Sequence, residues 1–218
     1  MSRILLIGAT GGVGSRLAPM LIASGHQVTG LHRSLAQAEK LRAQGVTPVA
    51  GDLMEMDAEA LAEIARDHDI IIFSAGAAGS GAERTSEIDG RGPLKMIAAA
   101  KACGIARVYL VSAMPEAGRG GQPKLGFEHY MRVKKEADAA LVASDLDWVI
   151  LRPGTLLAED GDDAVSLAPA LVYGKVKRGN VAAVLAGLVE CPEIRREILE
   201  LTDGTTPVAE AVAACFRD

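Results

Sequence analysis

The chain of 218 residues predicts an α/β fold: a doubly wound parallel sheet in three layers, α/β/α, with a short C-terminal cap region. Three observations predict it. Short apolar runs alternate with amphipathic segments, the pattern of successive βαβ units. One of those runs, "DIIIF" at 69–73, is apolar almost throughout, as a strand covered on both faces must be. A glycine-spaced turn, with Gly8, Gly11 and Gly14, joins the first apolar run to the first helical pattern.

The elements follow in order. Residues 3–7 form strand one, and residues 12–24 a helix ended by Gly25. Residues 27–31 are strand two, 35–43 a helix stopped by Gly45, 46–50 strand three, and 58–66 a helix. Strand four is 69–73. The core of a longer helix spans 93–103, with Gly104 after it. Strand five is 107–111, a helix covers 128–143, and strand six is 148–151. After Pro153 the pattern loosens. A late strand at 198–202 and a closing helix at 208–216 stand out, and the stretch after Leu151 is expected to hold the cap. Right-handed crossovers then wind the sheet in both directions.

Composition sets the bounds. Apolar residues make up 49 % and aromatics 3 %, so one domain over 1–218 can bury a core, and that core is aliphatic. Within it, 152–218 includes a small substrate-side cap. The net charge of −5 offers no broad basic field and argues against a nucleic-acid partner. Cys103, Cys191 and Cys215 are odd in number and far apart, which fits a reducing compartment rather than a disulfide framework. His26, His32, His68 and His129 show no metal-ligand spacing, so no metal is expected. The apolar run at 4–7 is too short for a signal peptide and no run approaches a membrane span. The expectation is a soluble, cytoplasmic protein without a membrane partner.

The opening loop, "GATGGVG" at 8–14, sits between a strand and a helix, where glycines allow a tight turn and close approach of a pyrophosphate. The helix start adds unpaired N–H groups and a positive dipole end. Gly8, Thr10, Gly11, Gly12, Val13 and Gly14 are therefore candidate dinucleotide contacts, with Gly14 also letting the helix pack on the strand. Ligands of open parallel sheets bind beyond the carboxyl ends of strands, at the point where strand order reverses. After strand two come His32 and Arg33, with no acid to meet a free ribose 2′-hydroxyl. Arg33 can instead pair a 2′-phosphate in bidentate fashion, so the expected cofactor is NADP rather than NAD. After strand three, Asp52 can accept from an adenine amino group and Leu53 can pack on the ring. After strand four, Ser74, Ala75 and Gly76 open a small-residue loop that lets backbone run beside a cofactor.

Taken together, "GATGGVG", "GDL" at 51–53, "SAG" at 74–76, "YLVSA" at 109–113, "YMRVK" at 130–134 and "LRPG" at 151–154 resemble the short-chain dehydrogenase/reductase superfamily over nearly the whole chain. The length falls below what extended members need, so the chain is similar to the atypical branch of small epimerase-like proteins. NmrA-like regulators and biliverdin/flavin reductases are nearby relatives. The resemblance gives Tyr130 the role of acid/base, Lys134 that of ribose contact, and Ser112 that of orienting a substrate carbonyl or hydroxyl. In such relatives the turn at Pro153 and Gly154 lines the nicotinamide side, which makes Pro153 a candidate contact. Tyr130 and Lys134 are four apart on a helix and share a face. An ammonium beside the phenol would favour phenolate, moving it from about pKa 10 toward working pH. A second Y-x-x-x-K, Tyr173 and Lys177, lies after "LRPG", and order along the fold favours Tyr130. One departure is Asp89, where catalytic members carry asparagine. It is a candidate to hold a water or the Lys134 ammonium, or to serve a helix dipole. Asp160, Asp162 and Asp163 read as a solvated acidic loop.

The expected function is an NADP-dependent oxidoreductase or epimerase acting on a small carbonyl or hydroxyl substrate. The alternatives are a redox-sensing dinucleotide module of NmrA-like type and an NADPH-dependent flavin or biliverdin-type reductase. By analogy, the helix at 128–143 could pair with a copy of itself to give a homodimer.

Overall fold

The computed structural model describes residues 1–119, 121, 122 and 124–216. Its centre is a nine-stranded sheet. In chain order the strands are β1 (Arg3–Ile7), β2 (Gln27–His32), β3 (Thr47–Ala50), β4 (Ile70–Phe73), β5 (Arg107–Val111), β6 (Asp147–Pro153), β8 (Ala164–Ala168), β10 (Glu197–Asp203) and β11 (Thr206–Pro207). The short strands β7 (Thr155–Leu157) and β9 (Lys175–Lys177) pair in parallel as a separate two-stranded sheet. Across the main sheet the order is β11-β8-β10-β6-β5-β4-β1-β2-β3. Strands β1 to β6 and β10 are parallel, and β8 runs antiparallel to β10. Strand order reverses at β1, which lies between β2 and β4. This is the doubly wound, Rossmann-type arrangement.

The central strands show why this sequence chooses such a sheet. All of Ile4–Ile7 and Ile71–Phe73 is fully buried. Side chains alternate across a strand, and here both faces are cores. Ile4, Leu6, Ile70, Ile72, Tyr109 and Val149 face one hydrophobic cluster; Leu5, Ile7, Ile71, Phe73, Leu110 and Ile150 face the other. The first cluster is covered by α1 (Gly14–Ala23), α2 (Leu35–Ala43), α7 (Arg178–Glu190) and α8 (Val208–Ala213). The second is covered by α3 (Ala58–Ala65), α5 (Gly92–Cys103) and α6 (Leu125–Val142).

Local signals set the element ends. Ser34 caps α2 by accepting from the Gln37 N–H, and Asp57 caps α3 by accepting from the Ala60 N–H. Gly104 closes α5 in the left-handed region at φ 68°. Before α5, a single turn, α4 (Ala82–Arg84), runs into a π-helical segment, Thr85–Arg91. Such segments are rare and often sit at functional sites.

Most of the C-terminal third, where the sequence pattern loosens, joins the main fold. Residues 164–168 and 197–207 extend the main sheet, and α7 and α8 complete one helical layer. Helix α7 escapes the sequence reading because it has no polar face to give it a period. Gly179, Asn180, Val181, Ala182, Val184, Leu185, Leu188 and Val189 are all buried. Only the β7–β9 pair and its loops stand outside the main sheet. No helix among the described residues is long and apolar enough to cross a membrane.

Candidate active site

The glycine loop leaves β1 at the reversal of strand order. Gly8 has φ 96°, and a Cβ there would lie 2.5 Å from the backbone N of Ala75. A side chain is excluded both by conformation and by the strand-four loop crossing it. The Gly11 N–H donates to the Gly8 carbonyl at 2.9 Å and closes the turn. A Cβ on Gly14 would strike that same Gly8 carbonyl, so helix α1 can sit close on β1 only with glycine there.

A cavity of about 240 Å³ opens beside this loop. Nine of the predicted cofactor residues line it: Gly8, Thr10, Gly11, Arg33, Asp52, Leu53, Ser74, Ala75 and Gly76. They come from the carboxyl ends of four strands, β1 to β4, and meet only because the sheet is ordered 3-2-1-4 there. Val13 and Gly14 are buried beneath the loop and shape it rather than line the cavity. Gly12 is exposed at the rim, and Pro153 lies apart. Pro153 ends β6, and its carbonyl accepts from the Met114 N–H at 3.2 Å. Asp52 is partly committed, since its Oδ1 accepts from the Met54 N–H at 3.0 Å in an Asx turn. Ser74 Oγ donates to the Ile7 carbonyl at 3.3 Å.

The cavity also collects residues that sequence reasoning did not select: His32, Gln37 and Arg84. Gln37 accepts from the Arg33 N–H at 2.8 Å and so holds the start of α2 beneath Arg33. Arg84 reaches the cavity from α4, with its Nε donating to Ser80 Oγ at 3.0 Å. No spacing in the sequence marks it. His32 Nδ1 is buried without a partner among the described residues, as is Ser112 Oγ. Buried polar atoms left unpaired by the fold are ready to bond a ligand.

A second group of residues gathers at the end of β5. The Ser112 N–H continues the sheet by donating to the Leu151 carbonyl at 2.7 Å. Lys134, 3 % exposed, donates from Nζ to the Val111 carbonyl at 2.8 Å and lies 3.9 Å from Asp89 Oδ1. Asp89 projects inward from the π-helical segment, and its Oδ2 accepts from the Ala77 N–H at 3.0 Å. It thus faces the Lys134 ammonium and ties down the loop after β4. Burial drives the Asp89 carboxyl up and the Lys134 ammonium down, and their mutual attraction opposes both shifts.

Tyr130 lies one turn before Lys134 and packs against Phe127, with ring centroids 6.1 Å apart. Its phenol corrects the expectation of a lysine-lowered pKa. It is pushed up to about 12, first by burial and then by the charges of Asp89 and Asp138. The Lys134 ammonium is turned to the Val111 carbonyl and Asp89 instead. Asp138, one further turn along α6, is buried and bonded to Arg152 Nε at 2.9 Å. Burial first, and the carboxylates on this face second, therefore keep the phenol protonated.

The second Y-x-x-x-K resolves differently. Tyr173 Oη lies 2.6 Å from Thr155 Oγ1, and Lys177 is on β9, bonded to Asp162 and near Asp203. The acidic loop is likewise not merely solvated. Asp160 pairs with Arg16 Nε at 2.8 Å, Asp162 holds Lys177 and Asn180, and the Asp163 carbonyl accepts from the Val208 N–H. Among the described residues no group of three or more His, Cys, Asp or Glu side chains is placed to hold a metal ion.

Known proteins share this fold. The NAD(P)H-binding family model matches residues 8–192. The uncharacterized sugar epimerase YhfK of Bacillus subtilis (strain 168) is 35 % identical over 212 residues, covering 96 % of this chain and 98 % of that protein. A Bacillus halodurans structure, described as a candidate NAD-dependent epimerase/dehydratase, superposes with a TM-score of 0.89 at 31 % identity. It covers 98 % of this chain and all (100 %) of its own. ChuY, an anaerobilin reductase from Escherichia coli O157:H7, superposes with a TM-score of 0.78 at 29 % identity, covering 92 % of this chain and 97 % of its own. A glycine loop at the strand-order reversal, a cavity along four strand ends and a match from the first loop glycine to the end of α7 agree: the chain belongs to the NAD(P)H-binding family.

Proposed function

We propose that the protein is an NADP-dependent oxidoreductase or epimerase of the atypical short-chain dehydrogenase/reductase type, acting on a small carbonyl or hydroxyl compound. One observation carries the reading. A cavity built from the glycine loop and Arg33 lies at the carboxyl ends of β1 to β4, and the buried Ser112, Lys134 and Asp89 gather at the end of the neighbouring β5, with the half-buried Tyr130 one turn before Lys134.

The residues fit a dinucleotide. Gly8 and Gly14 let the loop turn tightly and bring α1 close on β1, where the helix N-terminus would offer its N–H groups to a pyrophosphate. Arg33 is exposed at the cavity, with no ion pair among the described residues, and would hold the 2′-phosphate. Asp52 and Leu53 would take the adenine, and Ser74, Ala75 and Gly76 would flank the chain of the cofactor. When bound, the nicotinamide supplies or accepts a hydride.

The remaining chemistry belongs to this chain. Tyr130 holds its proton at Oη through neutral pH and is a proton donor to a substrate oxygen, which suits reduction of a carbonyl. Ser112 Oγ, buried and unpaired, offers a hydrogen bond to the same oxygen. Lys134 positions the end of β5 through the Val111 carbonyl, and Asp89 balances its charge. A tetrapyrrole-reductase reading is favoured by the likeness to ChuY, and it uses the same cofactor site.

Thermal unfolding with NADPH, NADP⁺, NADH and NAD⁺ tests the proposal. A ligand at about a hundred times its Kd stabilises by about 2.7 kcal/mol, a readable rise in midpoint. NADP(H) should raise the midpoint more than NAD(H), and Arg33→Ala should abolish that preference. Equal shifts from both cofactors in the wild type would remove the 2′-phosphate assignment. The absence of any shift would remove the enzyme reading.

A further inference from the structure

Among the described residues, Arg178, the first residue of α7, is an arginine that rests directly on the glycine loop without being used by the fold. A Cβ placed on Gly12 would lie 2.6 Å from Arg178 Cδ and 2.8 Å from its Nε. The side chain therefore runs over the surface that the missing Cβ leaves open. Among the described residues its guanidinium has no hydrogen-bond or ion-pair partner. The neighbouring arginine of the loop, Arg16, is fully engaged with Asp160, the Gly12 carbonyl and the Ala158 carbonyl. Asp160 is thereby occupied.

The position of Arg178 is built, not incidental. The next residue, Gly179, is packed so tightly on Gly161 that no side chain fits there, and its N–H donates to the Glu159 carbonyl at 3.2 Å. Asn180, fully buried, accepts from the Asp162 and Asp163 N–H groups and donates to Asp203 Oδ1 at 2.8 Å. These contacts pin the start of α7 against the loop and leave Arg178 no freedom to sit elsewhere at its root. Helix α7 leads into β10, on the β6 side of the sheet, whereas Arg33 stands on the opposite side at β2.

The geometry points to Arg178 as a second phosphate clamp, closing over the glycine loop onto the pyrophosphate of the dinucleotide from the half opposite Arg33. This rests on the proposed cofactor site and adds a residue from the far end of the chain to it. An unpaired guanidinium beside a helix start, facing a loop shaped for phosphate, supplies the charge-assisted bonds that the N–H groups of the loop leave unfilled. Gly12 is then required for a reason beyond the turn: a side chain there would displace Arg178.

The test uses isothermal titration of the full-length protein with two ligands. NADPH carries both phosphates of the bridge; adenosine 2′,5′-bisphosphate carries only the adenosine-side phosphate. In Arg178→Ala, NADPH affinity should fall about tenfold or more while that for adenosine 2′,5′-bisphosphate holds. Arg178→Lys, which keeps the charge but not the fork, should fall between the two proteins. Because the side chain bonds nothing in the fold, the midpoint of ligand-free Arg178→Ala should match the wild type. If Arg178→Ala binds NADPH as the wild type does, or loses both ligands equally, the clamp is wrong while the cofactor site stands. If the wild type binds neither NADPH nor NADH, the cofactor reading falls and the clamp falls with it. Should the wild type prefer NADH, the same comparison is made with NADH and AMP, and the same loss is expected.

Discussion

At the scale of single residues, the acid/base role proposed for Tyr130 depends on what surrounds its phenol. Burial and the Asp89 and Asp138 charges all raise its phenol, to about 12. In an ultraviolet difference titration, the transition that vanishes in Tyr130→Phe should lie near pH 12; a transition near neutrality would show that Lys134 tunes it after all. With substrate in hand, Tyr130→Phe should remove turnover, by about 10²-fold or more for a lost proton donor, and leave NADPH affinity unchanged. Unchanged turnover would strip Tyr130 of its role. Spacing in the sequence was enough to put Tyr130 and Lys134 on one helical face. It could not show where the ammonium points, because that depends on the Val111 carbonyl and on Asp89, brought near by a π-helical segment that no local pattern announces.

At the scale of elements, the β1–α1 junction and the α7 start carry most of the consequence. Replacing Gly14 with alanine drives a methyl into the Gly8 carbonyl beneath a buried helix start. Overpacking of this kind costs about 1–3 kcal/mol, and chemical denaturation should read it; a loss much below that range would mean that α1 can slide on β1. At the other junction, Asp162 is held well down, to about 2, first by its bond from Lys177 and then by that from Asn180. Its unfolded value is the ordinary 3.8. The stabilisation from this carboxylate is thus complete above about pH 4 and drains away as the pH falls toward 2. The gap in midpoint between wild type and Asp162→Asn should close over that acid window. A gap that persists below it would assign the effect to packing rather than charge.

At the scale of the whole molecule, one buried amide ties the C-terminal stretch to the sheet. Asn180 joins the 158–163 loop, α7 and β10 through bonds to Asp162, Asp163, Ala164 and Asp203. Asn180→Ala leaves several of these groups buried and unpaired, at a cost of roughly 2–4 kcal/mol. The melting midpoint should drop accordingly, and a neutral outcome would show that the stretch docks through its apolar contacts alone. The same stretch marks the boundary of what could be read without the fold. The first six strands, and the helices between them up to 143, follow from apolar period, caps and glycine stops, because each of those signals is local. Helix α7 and strands β7, β8, β9 and β11 do not, since α7 is apolar on nearly every side and the strands are short.

By itself, the sequence determined the alternating α/β plan, the buried central strands and the tight glycine turn between β1 and α1, because these rest on period 2, period 3.6 and glycine's missing Cβ. Only the tertiary structure decided which ends meet. It set strand order 3-2-1-4, so that four separate loops line one cavity. It turned Lys134 away from Tyr130, and it carried Arg178 from the far end of the chain onto Gly12. Such pairings are fixed by packing between elements far apart in sequence, and no window of neighbouring residues contains them.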